Sequence, residues 1–175
     1  MRTNQQGFTI IEAIVVIVLV GILGAVVVSR FTTPNTFNIQ IAQDGIITTL
    51  RAAQQAALGR DNISFKIVPG GDNLDLIVEE GSATIRTLTV AGDGVTLETG
   101  TTADTGMSCA SGYDDDIMPD FEIAFDGLGN AISLLNNSIT EQPVDNGVRI
   151  CINDTDSLSI CVSPAGFAHE GDCDA

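Results

Sequence analysis

Residues 8–28 read FTIIEAIVVIVLVGILGAVVV, an apolar run in which Glu12 is the only charged side chain. At about 1.5 Å per residue, a helix of this length extends roughly 30 Å, the thickness of a bilayer core. Arg2 precedes the run and Arg30 follows it. We therefore predict a membrane-spanning helix over residues 8–30.

Glu12 needs a partner, because a carboxylate within such a helix is costly unless it meets a positive charge or a protein interior. If the chain is cut between Gly7 and Phe8, the new α-amino group of Phe8 supplies that charge. The amine can then lie beside Glu12 of a neighbouring chain when helices pack side by side. We predict that Glu12 sets the register between packed helices.

The overall composition is acidic and apolar at once. The 175 residues include 23 Asp and Glu against 7 Lys and Arg, a net charge of −16, yet the mean hydropathy is +0.27. So few cations leave no basic surface for nucleic acid, which makes nucleic-acid binding an unlikely function. The hydrophobic content also argues against disorder.

The rest of the chain predicts an amphipathic helix and then a β-rich region. Pro34 predicts a kink or short break near residues 32–36. Apolar residues spaced by three and four predict a helix over 37–58, which Gly59 is expected to end. From residue 62, alternating apolar residues broken by Gly, Asn and Asp predict eight strands in four consecutive hairpins, at 63–68, 74–79, 83–90, 94–98, 121–126, 131–135, 148–152 and 158–162.

These patterns predict an α+β fold. A long N-terminal helix, with a transmembrane half and an amphipathic half, is expected to pack on a C-terminal antiparallel β-rich head. Two packed layers follow from burying one face of each strand.

Four cysteines, Cys109, Cys151, Cys161 and Cys173, follow the apolar run and are expected to form two disulfides in an oxidising compartment. Cys151 and Cys161 fall on facing strands of one predicted hairpin, so they either bridge directly or each reach Cys109 or Cys173. We favour Cys151 with Cys161 and Cys109 with Cys173. A zinc site is disfavoured, because there is no C-x-x-C pair.

The sequence favours a protein that is not an enzyme and needs no cofactor. His169 is the only histidine and is expected to lie in a surface tail, so a catalytic base is hard to place. The acidic run is a weak calcium candidate, formed by Asp114, Asp115, Asp116 and Asp120. A solvated acidic loop is the favoured interpretation of that run.

The residues from Gly7 to Glu12, GFTIIE, followed by the apolar helix, resemble the signal of type IV pilins and of the pseudopilins of type II secretion. The resemblance implies cleavage after Gly7 and N-methylation of Phe8 by a prepilin peptidase. It also implies that Glu12 neutralises the N-terminal amine of an adjacent subunit during assembly. Many members of the family have a helix-bending proline near Ser29, whereas this chain has Pro34.

The resemblance implies the organisation of the chain and its partners. Residues 1–7 would be a cleaved leader, 8–30 a transmembrane and filament-core helix, 31–60 an amphipathic helix half, and 61–175 a periplasmic or extracellular head. The expected partners are the prepilin peptidase, other pilin or pseudopilin subunits through their N-terminal helices, and inner-membrane assembly machinery. The chain would lie in the bacterial inner membrane before assembly and in a pilus or periplasmic pseudopilus afterwards.

A looser similarity concerns the C-terminal half. Residues 123–129, IAFDGLG, and 162–166, VSPAG, resemble the C-terminal pattern of GspH/FimT-like minor pilins and pseudopilins. Together with residues 50–57, LRAAQQAA, at the end of the predicted amphipathic helix, these motifs resemble those of minor pilins of the mannose-sensitive haemagglutinin (MSHA) pilus, which implies a role in surface attachment. The alternatives are a minor pseudopilin that serves protein secretion, a glycan-binding tip adhesin and a DNA-uptake pilin.

Overall fold

The computed structural model describes residues 9–28, 34–101, 109, 121–136, 140–153, 155–171 and 173. Within this part of the chain, two helices precede strands that form two antiparallel sheets, which confirms the α+β class. Two compact units are present, Met1–Pro34 and Asn35–Ala175. One continuous N-terminal helix stays a prediction, since residues 29–33 lie outside the described residues.

Helix α1 (Ile10–Val28) belongs to the first unit. Its side chains from Ile10 to Leu23 are exposed, and those of Ile10 and Ile11 are 82% and 72% exposed. A helix that is apolar on all sides has no polar face to turn toward water. Among the described residues, no helix is both long and apolar enough to cross a membrane.

Helix α2 (Pro34–Ala57) begins three residues earlier than predicted, at a proline. Proline suits the first helical position, where its fixed φ is already helical and no N–H is needed. The apolar stripe is buried as predicted, at Ala42, Ile46, Leu50, Ala53 and Ala57. The helix ends just before Gly59, whose φ of 75° fits a left-handed helix terminus.

Six strands form the larger sheet, in the order β3-β2-β1-β5-β6-β7. They are β1 (Ile63–Pro69), β2 (Asn73–Glu80), β3 (Ala83–Ala91), β5 (Phe121–Phe125), β6 (Ala131–Asn136) and β7 (Thr140–Pro143). Phe65 and Phe121 are fully buried and meet edge to face, with ring centroids 6.4 Å apart.

Gly45 brings α2 close to this sheet. A Cβ at Gly45 would lie only 2.9 Å from Val90 Cγ1 and 3.3 Å from Leu76 Cδ1. The absent side chain thus allows the helix to approach β2 and β3 closely.

Four strands form the smaller sheet, in the order β10-β9-β8-β4. They are β4 (Leu97–Thr101), β8 (Val148–Ile152), β9 (Thr155–Val162) and β10 (Ala168–Glu170). Val148, Ile150 and Ile152 belong to the same buried apolar cluster as the α2 stripe and the larger sheet. The two sheets and α2 therefore share one core.

The predicted hairpin between strands 83–90 and 94–98 is wrong. The second of these strands begins at Leu97 and pairs with β8 in the other sheet. Asn153 provides the reason, because its Oδ1 accepts from the Thr96 N–H at 2.9 Å and its Nδ2 donates to the Gly94 carbonyl at 2.9 Å. These bonds hold residues 94–96, which lead into β4, beside the end of β8.

Strands β7 and β10 were not predicted. They have four and three residues, too short for a recognisable alternation. His169 lies in β10 opposite Cys161, so the predicted surface tail is instead an edge strand.

Candidate functional site

The N-terminus of α1 is capped by Thr9. The Glu12 N–H donates to the Thr9 carbonyl at 3.1 Å and lies 3.4 Å from Thr9 Oγ1. Glu12 therefore lies in the first helical turn, where the helix dipole favours a carboxylate. The Thr9-x-x-Glu12 spacing is that of a capping box, a signal that the sequence analysis missed. Gly7 and Phe8 lie outside the described residues.

The apolar surface of α1 is the largest exposed hydrophobic feature in the described part of the chain. Side chains at Ile14, Ile17, Val20 and Leu23 are 55–70% exposed. Soluble proteins rarely leave such a continuous apolar surface in water, so a lipid or protein environment is expected to cover it. This surface begins one residue after the Thr9 cap.

In the second unit, the polar side of α2 is bonded to the β9–β10 connection and to the first residue of β10. Arg51 Nε donates to the Ala168 carbonyl at 3.1 Å, and Gln54 Nε2 donates to the Ala165 carbonyl at 2.9 Å. The Arg51 guanidinium also lies 5.7 Å from the centre of the Phe167 ring. These contacts attach a surface loop to a rigid helix.

The two C-terminal motifs found in the sequence are in direct contact. The Ala131 N–H donates to the Pro164 carbonyl at 3.0 Å. Gly166 packs so tightly on Gly129 that a Cβ at Gly166 would collide with the Gly129 carbonyl oxygen. Both glycines have positive φ, 76° and 82°. This contact requires glycine at 166, whereas a Cβ at Gly129 would instead press on Leu58 and Gln54 of the α2 end, and neither neighbour could be read from the sequence.

Asp126 organises the turn between β5 and β6. Its Oδ1 accepts from the N–H groups of Leu128 and Asn130, at 2.9 and 2.8 Å, and its Oδ2 accepts from Asn130 Nδ2 at 2.8 Å. The bonds from Asn130, followed by that from Leu128, lower the pKa of the Asp126 carboxyl below its ordinary value of 3.8. The Gly59 N–H, just after α2, donates to the Gly127 carbonyl at 2.9 Å. The turn is therefore also bonded to the end of the helix.

Two disulfides are present, Cys109–Cys151 and Cys161–Cys173, across 42 and 12 residues. The favoured pairing of Cys151 with Cys161 and Cys109 with Cys173 is wrong. The other possibility, in which each hairpin cysteine reaches outward, is the one observed.

Both disulfides lie on the face of the smaller sheet that points away from the core. Cys161 is opposite Arg149 in the strand register, and Cys151 follows Arg149 by two residues, so all three share a face. Arg149 is only 6% exposed, and its Nη2 lies 3.4 Å from Ser159 Oγ. The disulfides attach Cys109 and the C-terminal segment to this face.

On the outer face of the larger sheet, Lys66 lies between two carboxylates. Its Nζ is 2.7 Å from Glu79 Oε2 and 3.6 Å from Glu122 Oε2. The bond with Glu79 is the main reason that the pKa of Lys66 is raised. Beside it is a shallow cavity of about 210 Å³, lined by Glu122, Ala124, Ser133, Leu135 and Glu141.

The calcium candidates Asp114, Asp115, Asp116 and Asp120 lie outside the described residues. Elsewhere, in the part of the chain that the structure describes, no three His, Cys, Asp or Glu side chains gather as a metal site would require.

Comparison with known protein families finds a match for the N-terminal segment. Residues 2–28 match the prokaryotic N-terminal methylation motif. This motif is consistent with a prepilin signal like that of type IV pilins and pseudopilins. No curated protein and no solved structure matches the chain.

Proposed function

We propose that the chain is a minor pilin that enters or initiates a type IV pilus similar to the MSHA pilus and contributes to surface attachment. The match of residues 2–28 to the methylation motif carries this proposal. It is supported by the apolar, exposed surface of α1, which begins at the capped end that holds Glu12.

In this proposal, α1 anchors the subunit in the inner membrane with the head in the periplasm, and it becomes filament core after assembly. Removal of residues 1–7 gives Phe8 a free amine, which is then methylated. That amine pairs with Glu12 of an adjacent subunit, so a charge that is costly in an apolar bundle is compensated only in the correct register.

The head is proposed to bind other surfaces or subunits. It is proposed to catalyse no reaction and to need no cofactor. The two disulfides suit an exported head, because they constrain the unfolded chain. An MSHA-like identity is supported by the 123–129 and 162–166 motifs, which the fold joins through Gly129 and Gly166.

A minor pseudopilin of a type II secretion system is the alternative, because the same N-terminal motif serves both kinds of filament. Mass spectrometry of the chain's N-terminus in sheared surface filaments and in the cell envelope separates the two. A methylated Phe8 terminus at low abundance in sheared pili is expected. The same terminus confined to the envelope favours the pseudopilin, and an intact Met1 in both fractions contradicts both functions.

A further inference from the structure

Strand β3 forms one edge of the larger sheet and, among the described residues, pairs with β2 alone. An edge strand directs alternate peptide N–H and C=O groups away from its sheet, where another strand can bind them. The nine residues of β3 include no proline and one charged side chain, Arg86. The opposite edge, β7, has four residues and carries both Glu141 and Pro143, two features that discourage pairing.

The strand has an irregular half and a regular half. The β2–β3 register shifts between Val78 and Glu79, so Ile85 on β3 is an extra residue. From Arg86 to Ala91 the pairing with β2 is regular, and the Thr89 hydroxyl donates to Asp75 Oδ1 at 2.6 Å. Only this second half presents a straight edge for a further strand.

The charges at the two ends of this regular half are opposite. The exposed Arg86 lies at one end. At the other, Asp93 follows the strand, and Asp72 is held close by because its carbonyl accepts from the Gly92 N–H at 2.8 Å. An antiparallel pair of identical strands brings the Arg86 end of each to the acidic end of the other. A net charge of −16 on each copy favours separate copies, so a local attraction of this kind is what contact between them requires.

We propose that β3 is a self-association edge, at which a second copy of this chain adds its own β3 in antiparallel orientation. Residues that lie opposite each other in paired strands must point to the same face of the sheet. When the two copies pair along Arg86–Val90, Thr87 of one copy therefore lies opposite Thr89 of the other. Leu88 of one copy lies opposite Leu88 of the other. Leu88 is half-buried and packs against the core, so the contact extends that core across the two-fold axis. The inference goes beyond the proposed function and does not depend on it.

Crosslinking of the full chain in the bacterial envelope tests the proposal. The four native cysteines are in disulfides, so a cysteine introduced by Thr87→Cys is the thiol that a short bis-maleimide reaches. A product of twice the chain's mass is expected from Thr87→Cys and not from the matched control Glu141→Cys on the opposite edge. No dimer at Thr87→Cys, equal dimer from both variants, or a product containing a different protein overturns the proposal.

The charge pattern provides a second test in the Thr87→Cys background. Arg86→Glu is expected to lower the dimer yield by about two- to fivefold, because it places a carboxylate near the acidic end of the partner strand. Arg86→Lys retains the charge and is expected to retain the yield. Equal yields from the two Arg86 variants overturn the antiparallel arrangement. Mass spectrometry of the N-terminus in the same samples shows whether the leader is removed. That result tests the proposed function independently of the dimer yield.

Discussion

At the scale of single residues, Glu12 has two physical roles that need to be separated. It is part of the capped first turn of α1, as shown by its N–H bond to Thr9. It is also proposed to compensate a neighbour's N-terminal amine. The first role rests on the backbone N–H, which any residue except proline supplies, whereas the second needs a negative charge.

Glu12→Leu and Glu12→Gln are expected to be cleaved normally and to be poorly incorporated into filaments, because both lack the charge that pairs with the amine. Gly7→Ser is the complementary variant and is expected to keep the leader attached. The measurement is N-terminal mass spectrometry together with immunoblots of sheared filaments. Normal incorporation of Glu12→Gln would contradict the charge pairing, and a trimmed Phe8 terminus in Gly7→Ser would contradict the assigned cleavage site.

Asp126 predicts a pH dependence of head stability. Its pKa is lower in the folded chain than the ordinary 3.8, so the carboxylate stabilises the fold above that pH, and this contribution is lost as the pH falls through the folded pKa. Asp126→Asn should therefore lower the melting temperature at pH 7, with a smaller difference from wild type below pH 3.8. Thermal unfolding in detergent, followed by circular dichroism across this pH range, measures the difference. Asp145→Asn, in an exposed bend, is the control, and a difference for Asp126→Asn that does not change with pH would refute the prediction.

At the scale of elements, the turns after β5 and β9 form one unit with the end of α2. Gln54 and Gly59 bond to these turns, and the turns meet each other at Gly129 and Gly166. Each turn has an ordinary sequence, and its contacts with the other elements position it.

Gly166→Ala is expected to destabilise the head more than Gly71→Ala. Both positions have nearly the same φ, 76° and 75°, so both variants lose about 1–2 kcal/mol from the left-handed backbone. Only at Gly166 does the new methyl group also meet a backbone carbonyl, that of Gly129, whereas Gly71 has open space around it. Urea unfolding of the two variants measures the difference in the free energy of unfolding. Equal losses would show that the contact between the turns is loose.

At the scale of the whole molecule, the disulfides connect segments that are distant in sequence. In the chain-entropy account, loops of 42 and 12 residues correspond to about 4 and about 3 kcal/mol. Replacing Cys109 and Cys151 together by serine is therefore expected to cost about 1 kcal/mol more than replacing Cys161 and Cys173. Denaturant unfolding without reductant measures both losses, and a reversed order would contradict the loop-length account.

The pairing itself can be read by mass spectrometry after cleavage before aspartate, which separates all four cysteines. Residues 104–113 are expected to be linked to 145–153, and 156–171 to 172–173. A link between 145–153 and 156–171 would instead support direct bridging of Cys151 and Cys161.

Local patterns of the sequence were enough to determine the α+β class, the apolar α1, the buried stripe of α2 and most of the strands. Such patterns depend on spacings of two to four residues along the chain, so they can be read without knowing which distant segments come into contact. The N-terminal methylation motif, which includes Glu12, was equally accessible, because it is contiguous.

Tertiary structure alone decided which sheet receives β4, which cysteines pair and why Gly166 must be glycine. Each depends on a partner far along the chain: Asn153 for the approach to β4, Cys109 for Cys151, and the β5–β6 turn for Gly166. A turn sequence specifies a reversal of direction but not the strand that follows it. Backbone hydrogen bonds and close packing between distant segments make that choice.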